Sequence, residues 1–278
     1  MASDLDTSRG SAVLATGEEV DPVQTTSTSN EVSGLKPANG RPEMDVSGRR
    51  PQKINLRREI RIATWNVQTM YQTGKLDSVI REMNHCKTDI LGIAEARWTG
   101  NGHFTAASGE LVIYSGGTTH LAGVAVILSK QVRRHLLAYK TVSDRIVYVR
   151  IKAAPFNVSL LQVYAPTLAS DEAEAEEFYM QVQQELNSLP SQDMIFAVGD
   201  FNAKVGVDTR SAEVGGKYGL GELNTNGEKL VSFCQENDLV ITNTCFKHHE
   251  RRRYTWSSPD GNTKNQIDYI IVKRRFLN

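Results

Sequence analysis

The sequence predicts a core of two β-sheets with helices packed outside it, in the α/β or α+β class. Three amphipathic helical segments are interspersed with many short apolar segments that have the length and composition of strands. Several of these strands follow one another with only short turns between them, which favours antiparallel pairing. Sheets of this kind bury their apolar faces against each other and against helices, so we expect a sandwich.

Residues 1–59 differ in composition from the rest of the chain. Every aromatic residue and all three cysteines follow residue 59, whereas the first 59 residues hold half of the eight prolines. A segment rich in Ser, Thr, Gly, Glu and Arg buries too little apolar surface to offset its ordering entropy. We therefore expect residues 1–59 to be a disordered tail and residues 60–278 to form a single domain.

Charge and cysteine content narrow the class of protein. The chain has 32 basic and 32 acidic side chains, so its overall field is weak, although a local basic patch can still contact nucleic acid. An odd number of cysteines without a signal-peptide pattern favours a reducing, intracellular compartment. No apolar run approaches the ~20 residues of a membrane helix, so we expect no membrane partner. The basic residues 49–58 resemble a nuclear address or a phosphate-binding arm, but a solvated linker is the simpler interpretation.

The first ordered elements are predicted to deliver two polar residues. The run IRIATWNV is typical of a buried strand that ends near Asn66. The next apolar residues are spaced as on one face of a helix: Leu76, Val79, Ile80 and Met83. Residues 89–94 then predict a second strand, which leads to Glu95.

A series of short β-rich runs fills residues 110–164. They are ELVIYS, GVAVILS, HLLAYKTV, RIVYVRIK and NVSLLQVYAP, separated by turn residues. This succession predicts hairpins or a meander.

Two more helices flank a strand that ends in a polar pair. The second helix is predicted to begin at Ser170 as N-cap, with acidic residues in its first turns. Its inward stripe comprises Phe178, Val182, Leu186 and Leu189. Residues 194–198 then form an apolar run that leads directly to Asp200 and Asn202.

The third helix is predicted from a capping box of Thr225 with Glu228. It follows a Gly-rich loop of residues 206–221. The strand-like runs DLVITNT, RYTWSS and QIDYIIV come next, and the last of these contains Asp268.

Polar side chains thus occur at the ends of several apolar strands. They are Asn66, Glu95, Tyr164, Asp200, Asn202 and Asp268. Carboxylates and amides that converge at one rim suit a hard divalent cation such as Mg²⁺ rather than zinc. Such a group could also orient water and stabilise a phosphate oxygen, as metal-assisted phosphoester hydrolysis requires.

Each of these residues alone has an ordinary structural explanation. Asp and Asn are common in caps and turns, Tyr164 could be a core phenol, and Glu95 could simply pair with Arg97. The combination of polar residues at the ends of several apolar strands favours a site.

Five segments of the chain resemble, in order, the motifs of the endonuclease/exonuclease/phosphatase superfamily. They are RIATWNV, ILGIAEARW, LLQVYAPT, FAVGDFNAKVG and QIDYII. The pattern is similar to that of retrotransposon-encoded apurinic-type endonucleases and of craniofacial development protein 2-like proteins. The resemblance runs from about Ile60 onwards and implies a four-layer α/β-sandwich of two mixed, mainly antiparallel sheets with helices outside. It also implies phosphodiester cleavage with Mg²⁺ or Mn²⁺.

The resemblance implies a role for each matched residue. Glu95 would be the metal ligand, with Asn66 beside it. Asp200 would orient or deprotonate the attacking water. Asn202 would stabilise the transition state, and Tyr164 would contact the scissile phosphate.

The chain departs from the family pattern in two places. Asp268 in family members pairs with a histidine that follows in a Ser/Thr-Asp-His motif, and none of the six histidines of this chain matches that motif. We therefore expect a domain without its C-terminal strand, with an unpaired sheet edge and with weak or no turnover, because such a loss costs about 10²- to 10⁴-fold. Thr167 occupies a position where abasic-site endonucleases usually carry Asn, and its hydroxyl could still donate to a phosphate.

A second group of candidates lies in the basic run KHHERRR. Arg251, Arg252 and Arg253 would favour phosphate contacts, although a solvated basic loop explains the run equally well. His248 and His249 beside Cys245 lack a fourth ligand at a spacing typical of zinc.

The sequence therefore predicts a divalent-metal-dependent DNA endonuclease domain of retrotransposon type, monomeric, intracellular and impaired in turnover. Two alternatives remain open. One is a phosphatase that acts on a small phosphoester, and the other is a non-catalytic DNA-binding protein with the same fold.

Overall fold

The computed structural model describes residues 54–55, 60–210 and 212–277. Most of the predicted disordered tail, and most of the basic segment 49–58, lie outside the described residues. Within that segment, β1 (Ile54–Asn55) pairs in parallel with β9 (Ala153–Ala154).

The described residues form three α-helices and two main sheets. The remaining strands are β2 (Ile62–Asn66), β3 (Ile90–Ala94), β4 (Asn101–Thr105), β5 (Leu111–Ser115), β6 (Val124–Leu128), β7 (Leu136–Ser143), β8 (Ile146–Ile151), β10 (Val158–Tyr164), β11 (Met194–Asp200), β12 (Leu239–Ile241), β13 (Trp256–Ser257), β14 (Lys264–Asn265) and β15 (Asp268–Lys273). The helices are α1 (Lys75–His85), α2 (Glu172–Ser188) and α3 (Thr225–Glu236). In the described part of the chain, no helix combines the length and the apolar character that a membrane crossing requires.

The two main sheets are mixed and mainly antiparallel, as predicted. One has the strand order β12-β15-β11-β10-β8-β7, and the other has the order β2-β3-β6-β5-β4. Each main sheet contains one parallel pair, β10 with β11 and β2 with β3. A short antiparallel ribbon of β13 and β14 lies outside both sheets.

Three apolar clusters separate four layers of secondary structure. Ile90 and Val198 belong to the cluster between the two sheets. Leu91, the next residue along β3, belongs to the cluster that includes Val79 and Met83 of α1, because successive strand residues point to opposite faces. The third cluster joins the outer face of the six-stranded sheet to α2 and α3. The predicted α/β-sandwich is confirmed.

The predicted helical stripes are buried except for Leu76 of α1, which is half-buried, but two predicted caps are wrong by one residue. The N-cap of α2 is Asp171, not Ser170, and its carboxylate accepts from the N–H of Glu174. The N-cap of α3 is Asn224, whose side chain accepts from the N–H of Gly227. The capping box of Thr225 with Glu228 does not form. Adjacent residues of similar capping strength compete, and packing of the helix decides between them.

The two edge strands of the five-stranded sheet, β4 and β2, differ in how exposed they are. The exposed strand β4, with the sequence NGHFT, was not predicted because it lacks an apolar alternation. Strand β2 lies at the other edge of the same sheet, and all five of its residues are half-buried. Among the described strands β2 has only β3 as a partner.

Candidate active site

The predicted polar residues converge at one end of the sandwich. Asn66 ends β2, Tyr164 ends β10, and Asp200 ends β11. Tyr164 is in register with Asp200 across the parallel pair, and Asp200 is opposite Asp268 across the antiparallel pair. Asp200 follows Val198 by two residues, so its side chain points to the space between the sheets, where Val198 packs.

Asn66 joins two carboxylates that are distant in sequence. Its Nδ2 donates to Oε1 of Glu95 at 2.8 Å and to Oδ2 of Asp200 at 2.9 Å. Its Oδ1 accepts from the N–H of Gln68 at 2.9 Å. The amide therefore orients both acids here, and its predicted role beside the metal remains a prediction.

Glu95 has a constrained backbone and a fully engaged carboxylate. Its φ of 54° lies in the left-handed region, which non-glycine residues rarely adopt outside functional sites and turns. Oε1 accepts from Asn66 and from the hydroxyl of Tyr164 at 3.1 Å, and Oε2 pairs with Arg97 at 2.9 Å. The pairing with Arg97 that the sequence left open therefore exists together with the site contacts.

Asp200 is the most buried acid of the site, with 2% of its surface exposed. Its Oδ1 accepts from the N–H of Asn202 at 2.8 Å. Burial raises the pKa of Asp200 to about 6, the charge of Glu95 adds to the rise, and the hydrogen bonds from Asn66 and Asn202 oppose it. A carboxylate with a pKa near neutrality suits general base catalysis.

Asp268 is buried next to Asp200 and only partly satisfied. Its Oδ1 has no hydrogen-bond partner among the described residues. Burial and the neighbouring charge of Asp200 raise the pKa of Asp268 well above its usual value, while a hydrogen bond with the Thr255 side chain lowers it. A buried carboxylate oxygen without a donor is costly, so this atom is suited to hold a further donor.

Tyr164 is held as a protonated donor. Its hydroxyl faces Glu95, and the guanidinium of Arg145 lies 5.2 Å from its ring centroid. Burial and the nearby charges of Glu95 and Asp200 raise the pKa of Tyr164 well above its usual value. The sequence did not single out Arg145, because a charged residue before an apolar strand has no distinctive signature.

Asn202 and Asn226 fasten the loops around the site. Asn202 has a left-handed φ of 47°, and its Nδ2 donates to the carbonyl oxygen of Ala165 at 2.8 Å. Nδ2 of Asn226 donates to the carbonyl oxygens of Asn202 at 3.1 Å and Pro166 at 3.3 Å. Asn226 was missed by sequence reasoning, since an Asn in the first turn of a helix is ordinary.

The remaining candidates lie on loops. Thr167 is exposed, and Arg251 and Arg252 belong to an exposed 3₁₀ turn, Glu250–Arg252. Arg253 differs, because its guanidinium donates to the carbonyl oxygen of Gly219 at 2.9 Å. It also donates to the carbonyl oxygen of Tyr218 at 3.4 Å and so holds the basic turn to the Gly-rich loop.

The donor set of the site suits a cation that keeps water ligands. In the described part of the chain, no cluster of three or more His, Cys, Asp or Glu residues is arranged to hold a metal ion by itself. Mg²⁺ commonly uses only one or two carboxylates together with water, and Glu95 and Asp200 reach the same amide nitrogen. These oxygens therefore fit a hard divalent cation.

A separate cavity of about 550 Å³ lies beyond the opposite end of β3, lined by Asp89, Glu110 and Lys130 among others. Oxygens of its buried Glu110 accept from Asn84 and Ser108. This cavity is not part of the candidate site.

Comparison with known proteins identifies the fold and its relatives. A family model described as the endonuclease/exonuclease/phosphatase family matches residues 63–278. A craniofacial development protein 2 from Bos taurus is 43% identical over 264 residues, which cover 94% of this chain and 44% of the relative. The protein of the same name from Tragulus javanicus is 41% identical over 252 residues, covering 90% and 43% respectively. The chain thus spans less than half the length of these relatives.

Three solved structures share the fold at low sequence identity. A 3′ phosphatase, NExo, from Neisseria, bound to a product DNA hairpin, aligns with a TM-score of 0.55 and 18% identity over 78% of this chain and 88% of that one. The endonuclease domain of TRAS1, a telomere-specific non-LTR retrotransposon, aligns with a TM-score of 0.52 and 17% sequence identity. The alignment covers 79% of this chain and 87% of that one. The AP endonuclease LMAP from Leishmania major aligns with a TM-score of 0.53 and 14% sequence identity. The alignment covers 76% of this chain and 78% of that one.

Proposed function

Because this chain belongs to the endonuclease/exonuclease/phosphatase family, we propose that it is a divalent-metal-dependent DNA endonuclease domain of retrotransposon type. The observation that carries the proposal is the amide of Asn66, which holds Glu95 and Asp200 together at the end of the sandwich. Two carboxylates that accept hydrogen bonds from the same amide nitrogen lie close enough to repel each other, and a divalent cation would offset that repulsion.

Glu95, with Asn66 beside it, is the proposed holder of Mg²⁺ or Mn²⁺. When bound, the cation would polarise a phosphate oxygen and stabilise charge in the transition state. The contact between Arg97 and Oε2 of Glu95 has to adjust for this, because a guanidinium and a divalent cation compete for one carboxylate.

The chain's own residues supply the remaining chemistry. The carboxylate of Asp200 would orient a water molecule and accept its proton, for which its raised pKa is suited. The hydroxyl of Tyr164 would donate to the phosphate, and Asn202 would stabilise the transition state through its amide. Asp268 would hold a protonated partner through Oδ1.

DNA is the proposed partner. NExo was solved with product DNA, and the TRAS1 domain and LMAP are described as endonucleases, which supports a nucleic-acid substrate. Thr167, Arg251 and Arg252 are exposed and are proposed to contact phosphates. Arg253 is proposed to act through the loop that it holds. We further propose a monomeric, intracellular protein.

Slow turnover is proposed for the polypeptide of residues 1–278. Oδ1 of Asp268 has no partner among the described residues, so the protonated group that would complete this corner of the site is not supplied there. The same observation favours the second candidate function, a protein that binds DNA without cleaving it.

A nicking assay on abasic and intact plasmid DNA tests the proposal. We expect slow cleavage of DNA that requires Mg²⁺ or Mn²⁺, stops with EDTA and is lost in Asp200→Ala. Fast cleavage that depends on Asp200 would contradict the proposed impairment. DNA binding without any cleavage would favour the non-catalytic function, and hydrolysis of a small phosphoester without nicking would favour a phosphatase.

A further inference from the structure

Arg97 combines three features that the proposed chemistry does not use. Its guanidinium lies 2.9 Å from Oε2 of Glu95, two residues earlier in the chain. Its φ is 54°, in the left-handed region. Its Nε is buried and has no hydrogen-bond partner among the described residues. An N–H group left without an acceptor costs free energy, so this guanidinium is not fully satisfied where it lies.

The carboxylate of Glu95 receives two kinds of donor. Asn66 and Tyr164 donate neutral hydrogen bonds to Oε1, and these are compatible with a cation near the other oxygen. Arg97 places a full positive charge on Oε2. A divalent cation at Glu95 would be repelled by that charge, so the two compete for the same carboxylate.

The backbone of Arg97 is fixed on both sides. Its N–H donates to the carbonyl oxygen of Ala122 at 2.9 Å. Nδ1 of His120 lies 2.7 Å from the carbonyl oxygen of Arg97 and donates to it. The side chain is nevertheless 44% exposed, against 17% for Glu95. The guanidinium can therefore change its partner by rotation of the side chain while the loop stays in place.

We propose that Arg97 exchanges partners when a divalent cation binds. It pairs with Glu95 in the absence of the cation, and it turns to a phosphate group of the DNA substrate when the cation occupies Glu95. A phosphate offers acceptors to two guanidinium N–H groups at once, so the exchange gives Nε a partner as well. This inference rests on the proposed function, since it requires both a cation at Glu95 and a phosphate beside it.

The exchange predicts opposite effects of one substitution on two ligands. Arg97→Gln removes the competing charge, so we expect Mn²⁺ to bind about 3- to 10-fold more tightly in the absence of DNA, as isothermal titration calorimetry would measure. Arg97→Lys keeps the charge, and its Mn²⁺ affinity should stay closer to that of the unchanged protein than to that of Arg97→Gln.

DNA affinity should depend on Arg97 only when a divalent cation is present. With Ca²⁺ and phosphorothioate DNA, which limit turnover, we expect Arg97→Gln to weaken binding about 5- to 10-fold. The slope of log affinity against log salt should fall by about 0.9, the value of one phosphate contact. With EDTA, the same substitution should change neither the affinity nor the slope, because Arg97 then pairs with Glu95.

Arg210→Gln is the matched control. Arg210 also pairs with an acid two residues earlier, Asp208, but both of these side chains are exposed and lie outside the candidate site. The Arg210→Gln variant should bind Mn²⁺ and DNA with the same affinities as the unchanged protein. Circular dichroism and thermal unfolding establish that each variant is folded.

Three results would overturn the inference. They are unchanged Mn²⁺ affinity in Arg97→Gln, equal tightening in Arg97→Lys, or a loss of DNA affinity that is the same in EDTA and in Ca²⁺. In all three cases the unchanged protein still binds Mn²⁺ and DNA. If the unchanged protein binds neither ligand, the proposed function itself fails, so the two failures are distinguishable.

Discussion

Several residues next to the candidate site have a backbone conformation that side chains normally avoid. Gln68, Glu95, Arg97 and Asn202 all have φ between 47° and 60°. Each such residue costs roughly 1–3 kcal/mol and persists only where surrounding contacts hold it. Glu95 and Asn202 are also matched motif residues, so local strain and the proposed chemistry coincide.

The Asp200 side chain gives a testable prediction about stability. Burial raises its pKa to about 6, from an ordinary value of 3.8, so the folded protein binds a proton that the unfolded chain has already lost between these pH values. The stability contributed by that proton is present at low pH and is lost as the pH rises through the folded pKa. The substitution Asp200→Asn removes this loss of stability, because an amide side chain does not ionise as the pH rises. In EDTA at pH 7 we expect it to raise the free energy of unfolding by about 1–3 kcal/mol, and in the presence of Mg²⁺ we expect it to abolish cleavage.

Urea unfolding at pH 4 and pH 7 measures this effect. The gain of Asp200→Asn should be larger at pH 7 than at pH 4. A variant that is less stable than the unchanged protein at both pH values would show that the hydrogen bonds of the ionised carboxylate outweigh its burial.

At the scale of elements, the parallel pair of β10 and β11 sets the distance between Tyr164 and Asp200. Gly199 makes this pairing possible, because a Cβ atom there would lie 1.9 Å from the carbonyl oxygen of Val163. Its φ of 148° is also unfavourable for other residues. The neighbouring carbonyl belongs to a paired backbone and cannot move aside at low cost.

Gly199→Ala is therefore expected to destabilise the domain strongly. Gly74→Ala is the matched control, because Gly74 also has a positive φ, of 77°, but a Cβ atom added there would meet no other atom within 4 Å. We expect about 1–2 kcal/mol of destabilisation for the control and a further 1–3 kcal/mol or more for Gly199→Ala, measured by chemical unfolding. Equal losses in the two variants would refute the close approach as the cause.

At the scale of the whole molecule, a chain with no formal net charge needs a local surface to bind DNA. The exposed turn with Arg251 and Arg252 is the proposed surface. Replacing both arginines with Ala should weaken DNA binding and flatten its salt dependence by roughly 0.9 per lost phosphate contact, as fluorescence anisotropy across a salt series would measure.

Arg253→Ala serves as the contrast to this double variant. Its guanidinium donates to carbonyl groups of Tyr218 and Gly219, so its loss should lower stability by about 1 kcal/mol and leave the salt slope unchanged. An unchanged slope in the double variant would remove the basic turn from the proposed interface.

The sequence by itself determined the layers and the order of the site residues. Apolar periodicity is a local property, so the stripe of α2 and the apolar runs of β3 and β10 were predictable from neighbouring residues. Polar residues at strand ends identified Asn66 and Asp200 for the same reason. The exposed strand β4 and the exact caps were not predictable, because their signals are weak or shared by adjacent residues.

Only the tertiary structure decided which of these groups meet. Asn66 reaches Asp200 across 134 positions of sequence, and Arg97 rather than a distant base occupies Oε2 of Glu95. Such contacts depend on the register of strands that pair over long distances, and on competition between several donors for one carboxylate. The long-range contacts are not contained in any local stretch of sequence, which is why the role of Asn226 became visible only in the folded chain, and why the pairing of Arg97 with Glu95 could be suspected from sequence but not decided.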